Sequence, residues 1–152
     1  MTKLNKIIIA VFLFCAILII FSGLNLFKYK TKRQEAKIAI AAKQFKIEVA
    51  TNPEQWQRGL SERENLCANC GMLFVFPDKK SKEFWMKDML FPLDIIWLND
   101  QTVVGVSQNL PAPQKNELPV IVQSPEDVNM VLEINSGQAQ AIKIGDQAKV
   151  SY

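Results

Sequence analysis

The chain has 152 residues, with 18 Lys/Arg, 15 Asp/Glu and no histidine. Without imidazole, His-based acid–base work, Ser-His and Cys-His nucleophiles and most zinc sites are excluded, so any catalysis falls to carboxylates, Lys, Tyr or Cys. From Ile38 onward eleven Lys/Arg stand against fourteen Asp/Glu, a net charge near −3; nucleic acid is a poor partner for it, since that needs a concentrated basic face.

MTKLNK (1–6) is a short polar tail. Residues 7–27, IIIAVFLFCAILIIFSGLNLF, carry no charge. As a helix rising about 1.5 Å per residue this run spans roughly 30 Å, the thickness of a bilayer's hydrocarbon core. We read it as an uncleaved transmembrane anchor; the competing reading is a cleaved secretory signal. A signal has a shorter apolar run and a small-x-small cleavage site, whereas here the apolar character resumes at Leu24 after Ser22-Gly23. Phe14 before Cys15 does not suit a lipid-attachment site.

Lys3 and Lys6 flank one end of this run, and Lys28, Lys30, Lys32, Arg33 and Lys37 the other. Taken literally, the positive-inside rule keeps the C-terminal part in the cytoplasm. The very short N-terminal tail and the paired cysteines further on point the other way, and the expectation is an extracytoplasmic domain. Basic flanks of this kind also suit anionic head groups.

Residues 28–44 read as a basic stalk, with high helix propensity over 31–44, and residues 45–152 as one domain with a single core. FKIEVA (45–50) alternates and predicts a strand with Phe45, Ile47 and Val49 on one face. Thr51, Pro53 and Glu54 form a capping-box pattern that predicts a short helix over about 53–61. MLFVF (72–76) and EFWMK (83–87) are strand-like runs. LDIIWL (93–98), Asn99-Asp100 and QTVVGVSQNL predict a hairpin. PAPQKNELP (111–119) is a Pro-bounded loop. PVIVQ, VNMVLEI and QAKVSY are further strands, and SGQAQAI suggests one helical turn. Some eight short strands with one or two short helices predict a mainly β domain, a single β-barrel or sandwich.

QRGLSER (57–63), GMLFVF (71–76), FWMK (84–87) and FPLDIIWL (91–98) follow one another in an order that resembles the family known as domain of unknown function 192. LEINSG (132–137) and IGD (144–146) resemble its closing motifs. The resemblance spans roughly residues 45–150. It implies a compact, mainly β fold and weight on Arg58 and Gly59, and it brings no activity, because the family has no established one.

Cys67-Ala-Asn-Cys70 admits several readings. A zinc half-site lacks further ligands in this chain. A redox dithiol would want a helix N-terminus to lower a thiolate pKa, and a β-like run follows instead. A structural disulfide closing a tight turn suits an oxidising compartment, and reduced thiols suit a cytoplasmic one. The disulfide is the favoured reading, and the family pattern does not require these cysteines.

Arg58 is suited to bidentate capture of a carboxylate or phosphate, or to an internal ion pair with Asp94 or Glu133, as is Arg63. Asp94 and Glu133 interrupt apolar strands and need partners if buried. Held by Arg58, Arg63 or Lys87 they form a fold-specifying network; facing each other across a cleft they are an acid–base pair. Trp85 and Lys87 share one face of an alternating run, with Phe84 and Met86 on the other. Strand-spaced aromatics are usually core, yet a Trp beside a Lys also suits a cleft for a sugar or small polar ligand.

The expectation is therefore a membrane-anchored, extracytoplasmic binding or accessory domain whose ligand is a small polar molecule or envelope saccharide. Arg58, Trp85, Lys87, Asp94 and Glu133 are its candidate residues, and no cofactor or metal is called for. The alternatives are a hydrolase of cell-envelope polymers using Asp94 and Glu133, and a non-catalytic scaffold.

Overall fold

The computed structural model describes residues 34–152, together with Phe12. The expected anchor at 7–27 and the first residues of the expected stalk lie outside them. Among the described residues no helix is long and apolar enough to cross a membrane. The described domain is mainly β.

Nine strands follow in order: β1 Gln34–Ile40, β2 Lys43–Ala50, β3 Cys70–Lys80, β4 Glu83–Trp85, β5 Leu93–Asn99, β6 Thr102–Leu110, β7 Ile121–Gln123, β8 Val128–Asn135 and β9 Ala148–Ser151. One short helix, α1 (Pro53–Arg58), lies between β2 and β3. Seven strands form one sheet in the order β6-β5-β8-β3-β2-β1-β9, and β4 pairs with β7 in a separate ribbon. The large sheet curls into a half-barrel. At one end its edges meet, where Val103 N–H donates to Asp146 O at 2.9 Å and Ala148 N–H to Gln101 O at 2.6 Å.

Residues 34–44 correct the stalk reading. QEAKIAI is β1, antiparallel to β2 with Ile38 opposite Phe45, and the domain begins there. The helix propensity of this stretch yields to burial: Ala36, Ile38 and Ile40 alternate inward, a period that a helix would scatter. SGQAQAI is likewise not helical; it forms turns, with Gln138 N–H donating to Asn135 O and Ile142 N–H to Ala139 O.

The sheet is buried on both faces over its central strands, which explains why β5 is apolar on both sides of the strand, with Asp94 as the one charged residue among its buried positions. One face packs Ile38, Ile40, Phe45, Ile47, Leu73, Ile96, Leu132 and Ile134 inside the curl. The other packs Met72, Phe74, Ile95, Trp97 and Val131 beneath α1 and the β4–β7 ribbon. Phe84, from that ribbon, meets Phe74 at 4.9 Å and Trp97 at 5.6 Å, edge to face in both cases.

β2 and β3 run parallel. Parallel neighbours cannot be joined by a tight hairpin and need a crossover. Here the crossover is residues 51–69, which carry α1, QRGLSER and Cys67. All other pairs are antiparallel.

Candidate functional site

The crossover begins at an N-cap that differs by one residue from the expected one. Asn52, not Thr51, caps α1: its Oδ1 accepts from Gln55 N–H at 3.0 Å. Gln55 Oε1 in turn accepts from Thr51 N–H at 2.8 Å, so the reciprocal capping logic holds, displaced by one position. Pro53 occupies the first turn, where its missing N–H costs nothing. The helix stops at Arg58, before the expected residue 61. Gly59 ends it with φ 49° and ψ −132°, and its N–H donates to Gln55 O. That left-handed φ favours glycine. Space does not demand it: a Cβ at Gly59 would stand in ordinary contact, 3.4 Å from the Phe74 ring and 3.9 Å from Glu133 Oε2.

The turn at Gly59 leaves a cleft of about 260 Å³ between the end of α1, β3 and the ribbon. Trp56, Arg58 and Gly59 line it from α1 and its end, Phe76 from β3, Phe84 and Trp85 from the ribbon, Lys82 from the link between them and Glu133 from β8. Trp56 is pinned by Nε1–H donation to Ala50 O at 3.0 Å and packs against Phe76 with ring centroids 4.8 Å apart and planes tilted by 44°. Lys82 lies 4.5 Å over the Phe76 ring and donates to Asp78 at 2.8 Å. Lys80 and Lys82 together lower the Asp78 carboxyl to about 2.

Arg58, Trp85 and Glu133 are therefore brought together. Arg58 is exposed and has no ion pair among the described residues, so the internal pair with Asp94 or Glu133 is not formed. Trp85 is 48% exposed, and its alternation partner Met86 is buried, as the pattern predicts. Lys87 stands outside the cleft lining, its Nζ 5.3 Å from the Trp85 ring centroid, a cation over a π face.

Asp94 does not join them. Its two oxygens accept from Asn109 N–H and Ala139 N–H, each at 2.8 Å, inside the curl of the sheet. β5 and β8 pair with Asp94 opposite Ile134 and Ile95 opposite Glu133. Successive side chains alternate across a sheet, so Asp94 and Glu133 point to opposite faces. This corrects both expectations for the pair: they are neither partners in an arginine network nor an acid and base across one cleft.

Arg63 has found a different carboxylate. It makes a bidentate pair with Glu48 of β2, at 2.5 and 2.7 Å. Hydrogen bonding to Glu48 raises the Arg63 pKa above its ordinary value; partial burial opposes this, and the charges of Glu48 and then Glu133 add to it. Glu48, Met72 and Glu133 are aligned across β2, β3 and β8 on the cleft face of the sheet. Glu48 alternates with the buried Ile47 and Val49, a signal present in FKIEVA that passes for an ordinary solvent-facing residue.

Trp56, Phe76 and Lys82 complete the cleft and are absent from the sequence-based set. Phe76 was detectable as the same-face neighbour of Phe74 two residues on; Trp56 sits two positions before Arg58 in a helix too short to show a period.

Cys67 and Cys70 sit where the crossover enters β3, with sulfurs at disulfide distance and Cα atoms 5.1 Å apart. Cys70 N–H closes the turn on Cys67 O at 3.0 Å, and Asn135 Nδ2 donates to Leu66 O and Cys67 O. Among the described residues no group of three or more Cys, Asp or Glu side chains is placed to hold a metal ion.

The profile of the family described as uncharacterised ACR, domain of unknown function 192, matches residues 35–152. The chain belongs to that family. Its match begins ten residues before the span the motifs suggested, at β1, in agreement with the fold. Two crystal structures are similar, each over 80% of this chain at 26% identity. One is a candidate transcription regulator from Sinorhizobium meliloti 1021, with a TM-score of 0.72 and 97% of its own chain covered. The other is a protein of unknown function from Novosphingobium aromaticivorans DSM 12444, with a TM-score of 0.71 and 89% covered. No curated protein matches.

Proposed function

We propose that this protein is a membrane-anchored, extracytoplasmic binding module that takes a small polar ligand into the Arg58–Trp85–Glu133 cleft. The observation that carries the reading is Arg58 itself: an exposed cation without an ion pair among the described residues, lining a cleft together with Trp56, Phe76, Phe84 and Trp85. Side chains with that geometry capture a carboxylate or phosphate, while aromatic faces accept the apolar face of a sugar or similar body. A volume of about 260 Å³ suits one sugar residue or a small organic acid better than a polymer chain.

Anchoring rests on the uncharged run 7–27, and export on the cysteine pair, which suits an oxidising compartment. The neighbour's description as a candidate transcription regulator is not carried over, because a domain of net charge near −3 lacks the basic face that binding DNA needs.

A thermal-shift screen of the full chain in detergent against envelope monosaccharides, sugar phosphates and small carboxylates tests the reading. A ligand present at a hundred times its Kd stabilises by about 2.7 kcal/mol through mass action. That shift should disappear in Arg58→Ala. Equal shifts in parent and variant would remove Arg58 from the site.

A further inference from the structure

The β4–β7 ribbon carries an exposed apolar face that shares Trp85 with the cleft and extends beyond it. Trp85 and Ile121 are cross-strand partners, 48% and 55% exposed, while Phe84 and Val122 between them point into the core. Beyond the ribbon the two chains stay together, with Met86 N–H donating to Val120 O at 2.9 Å. Val120 is 37% exposed and Leu118, two residues further, 93%. Lys87 sits over the outer Trp85 ring.

The start of the domain lies at the same end of the sheet. Gln34 is opposite Val49; the next residue, Ala50, pairs with Phe74 and accepts from Trp56, and Trp56 packs against Phe76, which neighbours Phe84 of the ribbon. Between Phe27, the last residue of the uncharged run, and Gln34 stand only the six residues Lys28–Arg33. Fully extended they reach about 20 Å. A domain of this length is about 35 Å across, so such a tether keeps its own end of the domain at the bilayer.

We infer that the outer face of the β4–β7 ribbon docks on the interfacial region of the lipid bilayer, with Trp85, Ile121 and Leu118 inserted among the head groups and Lys87 beside them. The inference rests on the anchor reading. The chemistry is that of interfacial belts: Trp sits at head-group depth with its polar edge wet, and Lys extends its charge toward anionic lipid. Docking would turn the mouth of the cleft, which shares Trp85, toward the membrane surface.

The three tryptophans of the chain, Trp56, Trp85 and Trp97, all lie in the domain and none in the anchor, so the full chain reports its own docking. It is reconstituted in phosphatidylcholine–phosphatidylglycerol vesicles whose acyl chains are brominated close to the head group. The expected result is a loss of roughly a third of the emission, one emitter in three, since Trp97 is buried. That loss should vanish in Trp85→Phe and fall by at least half in a Leu118→Ser/Ile121→Ser variant, whose changes are confined to exposed side chains. Protein that floats with the vesicles yet is not quenched overturns docking alone. Protein that does not float overturns the anchor and docking together. Trp85 shielded from aqueous quencher only at high protein density, without bromine quenching, assigns the face to a second copy and also overturns the inference.

Discussion

Asp94 and Glu133 lie on hydrogen-bonded neighbouring strands and point to opposite faces of the same sheet. Each interrupts an apolar run, and each is nearly inaccessible to solvent. Their roles differ completely. Asp94 is a backbone clamp, fastening the end of β6 at Asn109 and the segment after β8 at Ala139 through two N–H donors. Glu133 faces the cleft and contributes charge to the Arg63–Glu48 corner.

Asp94→Ala should therefore be a stability variant. It leaves two N–H donors without their carboxylate in a closed interior, and a lost partner of that kind costs about 1–3 kcal/mol. Urea unfolding should show a lowered midpoint with an unchanged slope, and any ligand that stabilises the parent should stabilise the variant equally. A selective loss of ligand response would place Asp94 back in the site.

Gly59→Ala should cost about 1–2 kcal/mol, from a non-glycine residue held at left-handed φ, while its Cβ makes only ordinary contact with the Phe74 ring. Thermal unfolding of the variant beside Gln57→Ala, two residues back at an exposed helical position, separates this backbone effect from helix propensity. Matching melting temperatures for the two would show that the turn tolerates a side chain.

The Asp78 clamp predicts a pH response of definite sign. Lys80 and Lys82 hold the folded carboxyl at about 2, below the ordinary 3.8. A depressed folded pKa means a contribution fully present above about 4 and lost as pH falls through 2. NMR titration of the Asp78 carboxyl should give a midpoint near 2, and Asp78→Asn should release Lys82 from its position over Phe76 at neutral pH. A midpoint near 4 would mean that these exposed pairs are not held in solution.

Cys67→Ser with Cys70→Ser should lower stability by about 2 kcal/mol, the loop-entropy value for so small a ring, and leave the fold intact. Thiol trapping on protein taken directly from cells should find Cys15 as the single free thiol. Two further free thiols would contradict both the bond and export, because reducing compartments keep such pairs open.

How far the residues alone reach follows from the range of the forces involved. Period-two burial and short apolar runs bounded by turn residues are local properties, so β2 and β6 could be read from the first and β5 and β8 from the second, as could the hairpin at Asn99-Asp100, where the turn residues are adjacent to the strands they join. Trp85 and Lys87 facing out with Met86 facing in is the same rule applied to three residues. β1 was misread because its Ala, Lys and Glu favour a helix intrinsically, and only the neighbouring β2 and β9 supply the pairing that outweighs that preference. The site divides along the same line. That Arg58 and Glu133 deserve scrutiny was visible in an exposed helix end and a charged residue in an apolar strand. That they share a cleft, while Asp94 is turned away from it and Arg63 is engaged by Glu48, depends on strand order and register. Pairing β8 with both β3 and β5, across more than thirty residues of chain on either side, assigns each carboxylate to one face or the other. A shift of one residue in that pairing would exchange the faces, and no local pattern in the chain records it.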